Sequence, residues 1–69
     1  MVKVISSNID SAGYDETTHT LILIFKNGTT YHYEGVPKEE YDNLLNAQSI
    51  GSYFSSRIRN KYVTRKVTD

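Results

Sequence analysis

Residues 19–34 read HTLILIFKNGTTYHYE, and this stretch decides the fold. His19–Lys26 is rich in β-branched and other apolar side chains, which favours a strand. Asn27-Gly28 follows at once, and this dipeptide is typical of a two-residue type I′ turn, whose central positions both need positive φ. Thr29–Glu34 is therefore predicted to return as the second strand of an antiparallel hairpin.

A two-residue turn would also fix which residues face each other across the hairpin. The predicted pairs are Lys26–Thr29, Phe25–Thr30, Ile24–Tyr31, Leu23–His32 and Ile22–Tyr33. One sheet face would then carry Ile22, Ile24, Tyr31 and Tyr33, and the other Leu21, Leu23, Phe25, Thr30 and His32. Both faces are apolar, and two helices cover one face well but rarely two, so the uncovered face is a candidate interface. If that face is the Leu21/Leu23/Phe25 face, Leu23→Lys should dissociate an oligomer.

Two further strands are predicted before the hairpin. Val2–Ile5 is a short apolar run, and Ile9–Tyr14 is a second extended piece. Gly13 in the second piece predicts a bulge or a close approach by another part of the backbone.

Two helices are predicted after the hairpin. Pro37 suits a first helical turn, and Tyr41, Leu44 and Leu45 form one apolar stripe. This helix is predicted to end near Asn46 to Gln48. Ser49 is a natural N-cap for a second helix from Ile50 to about Asn60.

Tyr62–Val67 is predicted to be a short final strand or an extended tail. Residues 1–69 are thus expected to form one α+β domain. In it a small antiparallel sheet with a central Asn-Gly hairpin precedes two helices, which pack on one face, and the C-terminal strand or tail.

Length and composition limit the possible functions. The chain has 69 residues and no Cys, so a small core without disulfides favours self-association as a dimer or tetramer. Its net charge is zero, which argues against a generic polyanion binder, although residues 1–50 sum to −4 and residues 51–69 to +4. The longest apolar run is five residues and no signal peptide is visible, so we expect a cytoplasmic protein, in the host cytoplasm if it is phage-encoded.

Catalysis has little support in the sequence. There is no P-loop, HExxH or GxGxxG motif, and the two histidines, His19 and His32, are predicted to lie about 13 Å apart on one hairpin at 3.3 Å per residue. Glu39-Glu40 is interpreted as a solvated first helical turn. We therefore expect a protein that is not an enzyme and that holds no metal and no cofactor.

Six tyrosines in a short chain suggest aromatic stacking with a ligand. Tyr33 or Tyr53 is expected to stack on a base, whereas Tyr31 and Tyr33 share a face and could instead belong to the core. The start of the second helix, with Gly51, offers free N–H groups to a phosphate. The candidate ligand-binding residues are Ser6, Ser7, Tyr33, Ser49, Tyr53, Arg57, Arg59 and Lys61.

The chain also resembles a known family in the order of its motifs. The residues that carry the resemblance are Ser6-Ser7-x-Ile9, Gly13-Tyr14-Asp15, Gly28-x-x-Tyr31-x-Tyr33, Val36-Pro37, Tyr41, Ala47-x-Ser49-x-Gly51-x-Tyr53-Phe54, Ile58 and Tyr62. Over roughly residues 4 to 65 this series resembles the KTSC domain, which is named for a C-terminal appendage of some lysyl-tRNA synthetases and also occurs as single-domain bacterial and phage proteins. The resemblance implies a small α+β fold and suggests RNA binding, and it supplies no catalytic residues.

Three functions remain open. The first is an oligomeric, non-enzymatic sponge that sequesters a small cyclic nucleotide signal, as a phage would use to evade host immunity. The second is an RNA-binding domain, and the third is a protein-interaction domain without a nucleotide ligand. The pI of about 6.7 favours a small ligand over a long nucleic acid, because nucleic-acid binders are usually basic.

Overall fold

The central hairpin determines the layout of the domain in the computed structural model, which describes residues 1–67. The strands form one antiparallel sheet in chain order, and both helices lie between the fourth and fifth strands of the sequence. The elements are β1 (Val2–Lys3), β2 (Ile9–Asp15), β3 (Thr20–Phe25), β4 (Thr30–Glu34), α1 (Lys38–Leu45), α2 (Ile50–Arg57) and β5 (Val63–Lys66). The predicted α+β class, the hairpin, the two helices and the final strand are confirmed.

The hairpin turn is one residue longer than the sequence predicts. The Gly28 amide donates to the Phe25 carbonyl at 2.9 Å, and the Phe25 amide donates to the Thr29 carbonyl at 2.8 Å. Within the turn, Gly28 has a positive φ of 90°, whereas Asn27 does not have positive φ. This is a type I turn followed by a left-handed glycine, a loop of three residues that an Asn-Gly pair also fits.

The longer turn moves every cross-strand pair by one residue, so the predicted pairs and the predicted faces are wrong. Leu23 pairs with Tyr31 and Leu21 with Tyr33, whereas Ile22 pairs with His32. Leu21, Leu23 and Phe25 therefore share a face with the two tyrosines. A shift of one residue in an antiparallel pair changes which side chains meet on each face, because side chains alternate along a strand.

The helices cover the Leu21/Leu23 face and form the core with it. Leu21 and Leu23 are completely buried, as are Leu44 of α1 and Ile58 just after α2. The whole set of buried apolar side chains is Ile9, Ala12, Leu21, Leu23, Tyr33, Val36, Tyr41, Leu44, Phe54 and Ile58. The Leu21/Leu23/Phe25 face is thus the core and not an interface, which corrects the expectation for Leu23→Lys.

The other side of the sheet, which we call the open face, carries Ile22, Ile24 and His32. Two exposed apolar side chains flank it. Met1, which precedes β1, lies against Gly13, and Val63 of β5 pairs with Glu34. The predicted close approach at Gly13 is thus made by a side chain. The register of β2 against β3 shifts between Ile9 and Ser11 instead.

Both helices begin where the sequence predicts. Pro37 precedes α1 in an extended conformation, and the Ser49 hydroxyl accepts from the Ser52 amide at 3.3 Å to cap α2. The second helix ends at Arg57 rather than near Asn60, and residues 58–61 continue as turns. Within residues 1–67, no helix is both long and apolar enough to cross a membrane.

Gly28 gives a prediction about stability. We expect Gly28→Ala to lower the free energy of unfolding by about 1 kcal/mol, because a Cβ is unfavourable at positive φ. No atom lies within 4 Å of the added Cβ, so the cost is one of backbone conformation alone. Urea denaturation measures it.

Gly51→Ala is the matched control for this substitution. Its Cβ would lie 3.5 Å from the Ser6 Oγ, an ordinary contact, and alanine favours the helix. A Gly28→Ala variant as stable as the wild type would contradict a requirement for glycine at this positive-φ position.

Candidate functional site

The eight predicted site residues lie in three neighbouring places around α2. Tyr33 and Arg59 line one cavity, the aromatic cavity. Ser6, Ser7 and Ser49 line a second, the serine cavity. Tyr53, Arg57 and Lys61 lie around a buried carboxylate, in what we call the Glu40 cluster. The structure thus brings the predicted residues together only in part.

The aromatic cavity lies between α2 and the ends of β3, β4 and β5, with a volume of about 450 Å³. It is lined by Asn8, Phe25, Tyr31, Tyr33, Phe54, Ser55, Arg59, Asn60 and Thr64. The Phe25 ring meets the Tyr31 ring edge-on at 5.7 Å and the Phe54 ring at 5.6 Å. No carboxylate is among its lining residues, so the cavity combines aromatic walls with hydrogen-bond donors.

Tyr33 lines this cavity and is only 3% exposed. Its ring packs edge-on against Phe54 at 5.6 Å and tilts against Tyr31 at 6.3 Å. Phe25 and Tyr31 are instead half-buried, so their rings are more accessible to a planar ligand. The sequence pattern does not indicate Phe25 and Asn60 as candidate site residues. The signal that would have indicated Phe25 is the hairpin register, which brings its ring beside Tyr31.

The pKa of Tyr33 is raised to about 12. Burial is the main cause, and the neighbouring Tyr31 adds to it, whereas Arg59 lowers the pKa and offsets a part. The Tyr33 hydroxyl is therefore protonated and able to donate at neutral pH.

The serine cavity has a volume of about 480 Å³ and lies between the loop before β2 and the first turn of α2. Its lining residues are Ile5, Ser6, Ser7, Asn8, Gln48, Ser49, Ile50, Gly51, Ser52, Ser55 and Ser56. Two of the predicted serines already have internal partners. Ser6 donates to Asn8 Oδ1 at 3.1 Å, and Ser49 caps α2. The lining is uncharged, so this cavity offers hydroxyl, amide and backbone donors.

The aromatic and serine cavities adjoin along one side of α2. Asn8 and Ser55 line both of them, the first from the loop before β2 and the second from the helix. A ligand of sufficient length could therefore contact aromatic rings in one cavity and hydroxyl groups in the other.

The Glu40 cluster joins α1, α2 and the segment before β5. Glu40 is 9% exposed and accepts hydrogen bonds from the Tyr53 hydroxyl and, at 2.7 Å, from the Tyr62 hydroxyl. Lys61 Nζ lies 3.4 Å from the same carboxylate, and the Arg57 guanidinium lies over the Tyr53 ring at 5.8 Å from its centre. The expectation that Glu39-Glu40 is a solvated turn is thus correct for Glu39 and wrong for Glu40.

The Glu40 carboxylate has its partners within the protein. Burial alone would raise the pKa of Glu40, but hydrogen bonds from Tyr53, Tyr62 and Lys61 outweigh it, and its pKa falls below the ordinary value. The pKa of Tyr62 is raised to about 12, chiefly by burial and then by its bond to Glu40. The role predicted for Tyr53, Arg57 and Lys61 in ligand binding stays a prediction, and a carboxylate beside them disfavours a phosphate.

Comparison with known proteins places this arrangement in a family. The family model for the KTSC domain matches residues 5–62. The crystal structure of a KTSC domain protein from Yersinia pestis superposes with a TM-score of 0.92 at 38% identity, and the match covers 96% of this chain and 93% of that one.

Two curated relatives show the contexts in which similar sequences occur. A protein of Tsukamurella paurometabola is 40% identical over 62 residues, which are 90% of this chain and 92% of the relative. A lysine–tRNA ligase of Trichormus variabilis is 37% identical over 62 residues, but the match covers only 11% of that enzyme. Similar sequences thus occur both as small proteins and as a small part of a large enzyme.

Proposed function

We propose that this chain, which belongs to the KTSC domain family, is a non-enzymatic module that binds a small nucleotide. One observation carries the proposal: the aromatic and serine cavities adjoin through Asn8 and Ser55. A nucleotide needs a flat apolar surface for its base and nearby donors for its phosphate, and the two cavities offer both on one side of α2.

The base is proposed to lie against Phe25 and Tyr31. Both rings line the aromatic cavity and are half-buried. Stacking on an aromatic side chain contributes about 1–3 kcal/mol per base and tolerates any base, because every base has a π-face. The amide of Asn60 and the Nδ2 group of Asn8, whose Oδ1 accepts from Ser6, are then available to hydrogen-bond the edge of the base.

The phosphate is proposed to lie near Arg59. This side chain is exposed, and no carboxylate among residues 1–67 forms an ion pair with it. No Asp or Glu lines either cavity, so the neighbourhood is locally favourable to an anion although the whole chain is neutral. A local cluster of donors suits one or two phosphates better than a long polyanion.

A cyclic dinucleotide is the proposed ligand class. Two adjoining cavities of about 480 and 450 Å³ provide room for a ligand longer than a mononucleotide. Binding alone would sequester such a signal, as in a phage protein that protects against host immunity, and the proposed place of action is the cytoplasm.

We also propose that the protein assembles into a dimer or tetramer through the open face. Ile22 and Ile24 lie at its centre, and Met1 and Val63 extend the apolar surface towards both edges. Two ion pairs, Lys3–Asp10 and Arg65–Glu34, lie at the two edges of the sheet. An apolar centre with a polar rim is the usual composition of a protein interface.

Arg59→Ala tests the ligand site. A thermal-shift screen of mononucleotides, cyclic dinucleotides and short RNAs identifies a ligand, and calorimetry measures its affinity. We expect Arg59→Ala to weaken that affinity at least tenfold and Arg57→Ala, two residues earlier in the chain, to change it less than twofold. The ligand should be recovered chemically intact after the protein is denatured.

Each result has a distinct meaning. If Arg57→Ala weakens binding and Arg59→Ala does not, the ligand lies at the Glu40 cluster, where Tyr53 was expected to stack on a base. If the ligand is recovered as a product, the protein is an enzyme. If no nucleotide or RNA binds, a protein-interaction domain becomes the better interpretation.

RNA binding is the second candidate, favoured by the similarity to part of a lysine–tRNA ligase, an enzyme whose name includes tRNA. The affinity for an RNA that contacts many phosphates falls steeply with salt, whereas a ligand with one or two phosphates gives a shallow dependence. A steep salt dependence with a long RNA, together with no binding of small nucleotides, would support this alternative.

A further inference from the structure

The Tyr33 hydroxyl is a donor without a partner in a nearly buried side chain. Tyr33 is 3% exposed, and within residues 1–67 its hydroxyl makes no hydrogen bond, whereas the hydroxyls of Tyr14, Tyr53 and Tyr62 all donate to protein oxygens. No fully enclosed polar side-chain atom of the described residues lacks a partner, so this hydroxyl retains some access to solvent. Tyr33 lines the aromatic cavity, and that cavity is its route to a ligand.

The surroundings of this hydroxyl favour an acceptor with negative charge. Arg59 lines the same cavity and is close enough to act electrostatically on Tyr33. Ser55 and Thr64 add hydroxyl groups, Asn60 adds an amide, and no carboxylate is present among the lining residues. Hydrogen bonds to a charged acceptor are about twice as strong as neutral ones, and a partly desolvated donor strengthens them further.

We infer that the Tyr33 hydroxyl and the Arg59 guanidinium together form an oxyanion subsite that binds one phosphate group of the nucleotide. This inference rests on the proposed function, because it assigns the phosphate to a particular pair of donors. Tyr33 then acts through its hydroxyl rather than as a stacking ring. Arg59 supplies the charge from an exposed side chain, and Tyr33 supplies a donor from a nearly buried one in the same cavity.

Tyr33→Phe tests the subsite because it removes one oxygen and keeps the ring that packs on Phe54. Tyr41→Phe is the matched control: Tyr41 is also buried, but it stacks on Tyr14 and does not line the aromatic cavity. The probes are inorganic phosphate, AMP, GMP, adenosine and guanosine, and the reporter is the Arg59 Nε–H signal in NMR titrations. Both variants should have the same urea midpoint of unfolding as the wild type.

We expect Tyr33→Phe to weaken the binding of inorganic phosphate and of the nucleotides about tenfold and to change the affinity for nucleosides less than twofold. Tyr41→Phe should bind all of these probes like the wild type. Equal losses for nucleotides and nucleosides would overturn the inference, because the hydroxyl would then contact the base. A nucleotide that binds without shifting the Arg59 signal would also overturn it, while the proposed function stands. If phosphate binds in a Tyr33-dependent way but no nucleotide does, the subsite stands and the proposed function fails.

Discussion

Leu23→Lys is expected to unfold the domain, whereas Ile24→Lys should leave it folded. Leu23 is completely buried beneath the helices, but Ile24, the next residue, lies on the open face. An unpaired charge in the core costs more than about 4 kcal/mol, and a domain of this size is stable by only about 3–10 kcal/mol at 0.05–0.15 kcal/mol per residue. Circular dichroism and urea denaturation of the two variants measure the difference.

The same pair of variants tests assembly. Light scattering at micromolar concentration should show an oligomer for the wild type and a folded monomer for Ile24→Lys, because a lysine at the centre of the open face would be desolvated in the interface. A folded Leu23→Lys protein would contradict the assignment of the core. A monomeric wild type, or an oligomer that Ile24→Lys does not affect, would contradict the open face as the interface.

The hairpin shows what could and could not be predicted from the sequence. The strands and the turn position were correct because β-branched runs on either side of Asn27-Gly28 leave little choice. The register was wrong because this dipeptide fits both a two-residue and a three-residue loop, and both faces were apolar enough to be the core. Pairing Leu21 and Leu23 with the tyrosines places the bulkiest side chains together, and helices packed on that face select this register.

The candidate site was harder to predict because its parts converge only through tertiary packing. Ser49 was assigned correctly as a cap because capping depends on residues three positions apart. The contact of Asn8 with the α2 side of the domain depends on the sheet register, which a local pattern does not show. Glu40 was missed although it lies four residues before Leu44 and therefore on the core-facing side of α1.

Removing the Glu40 carboxylate should have the second-largest effect on stability. Glu40→Ala takes the acceptor from the Tyr53 and Tyr62 hydroxyls and the ion-pair partner from Lys61. Hydrogen bonds to a charged group contribute about 1.5–3 kcal/mol each when buried, so we expect a loss of about 3 kcal/mol in the free energy of unfolding. Glu39→Ala is the matched control, because Glu39 is exposed on the same helical turn and should change the stability little.

The Glu40 cluster also predicts how stability depends on pH. The pKa of Glu40 is lower in the folded protein than its ordinary value of 4.5, so the unfolded chain binds the proton more readily. The stabilisation is therefore fully present well above pH 4.5 and is lost as the pH falls through 4.5 to the lower folded pKa. Urea midpoints should fall in this range for the wild type and fall less for Glu40→Gln, whose side chain accepts a hydrogen bond but does not titrate. If the urea midpoints of these two proteins change in parallel with pH, the charge of Glu40 does not stabilise the contact between the helices and the segment before β5.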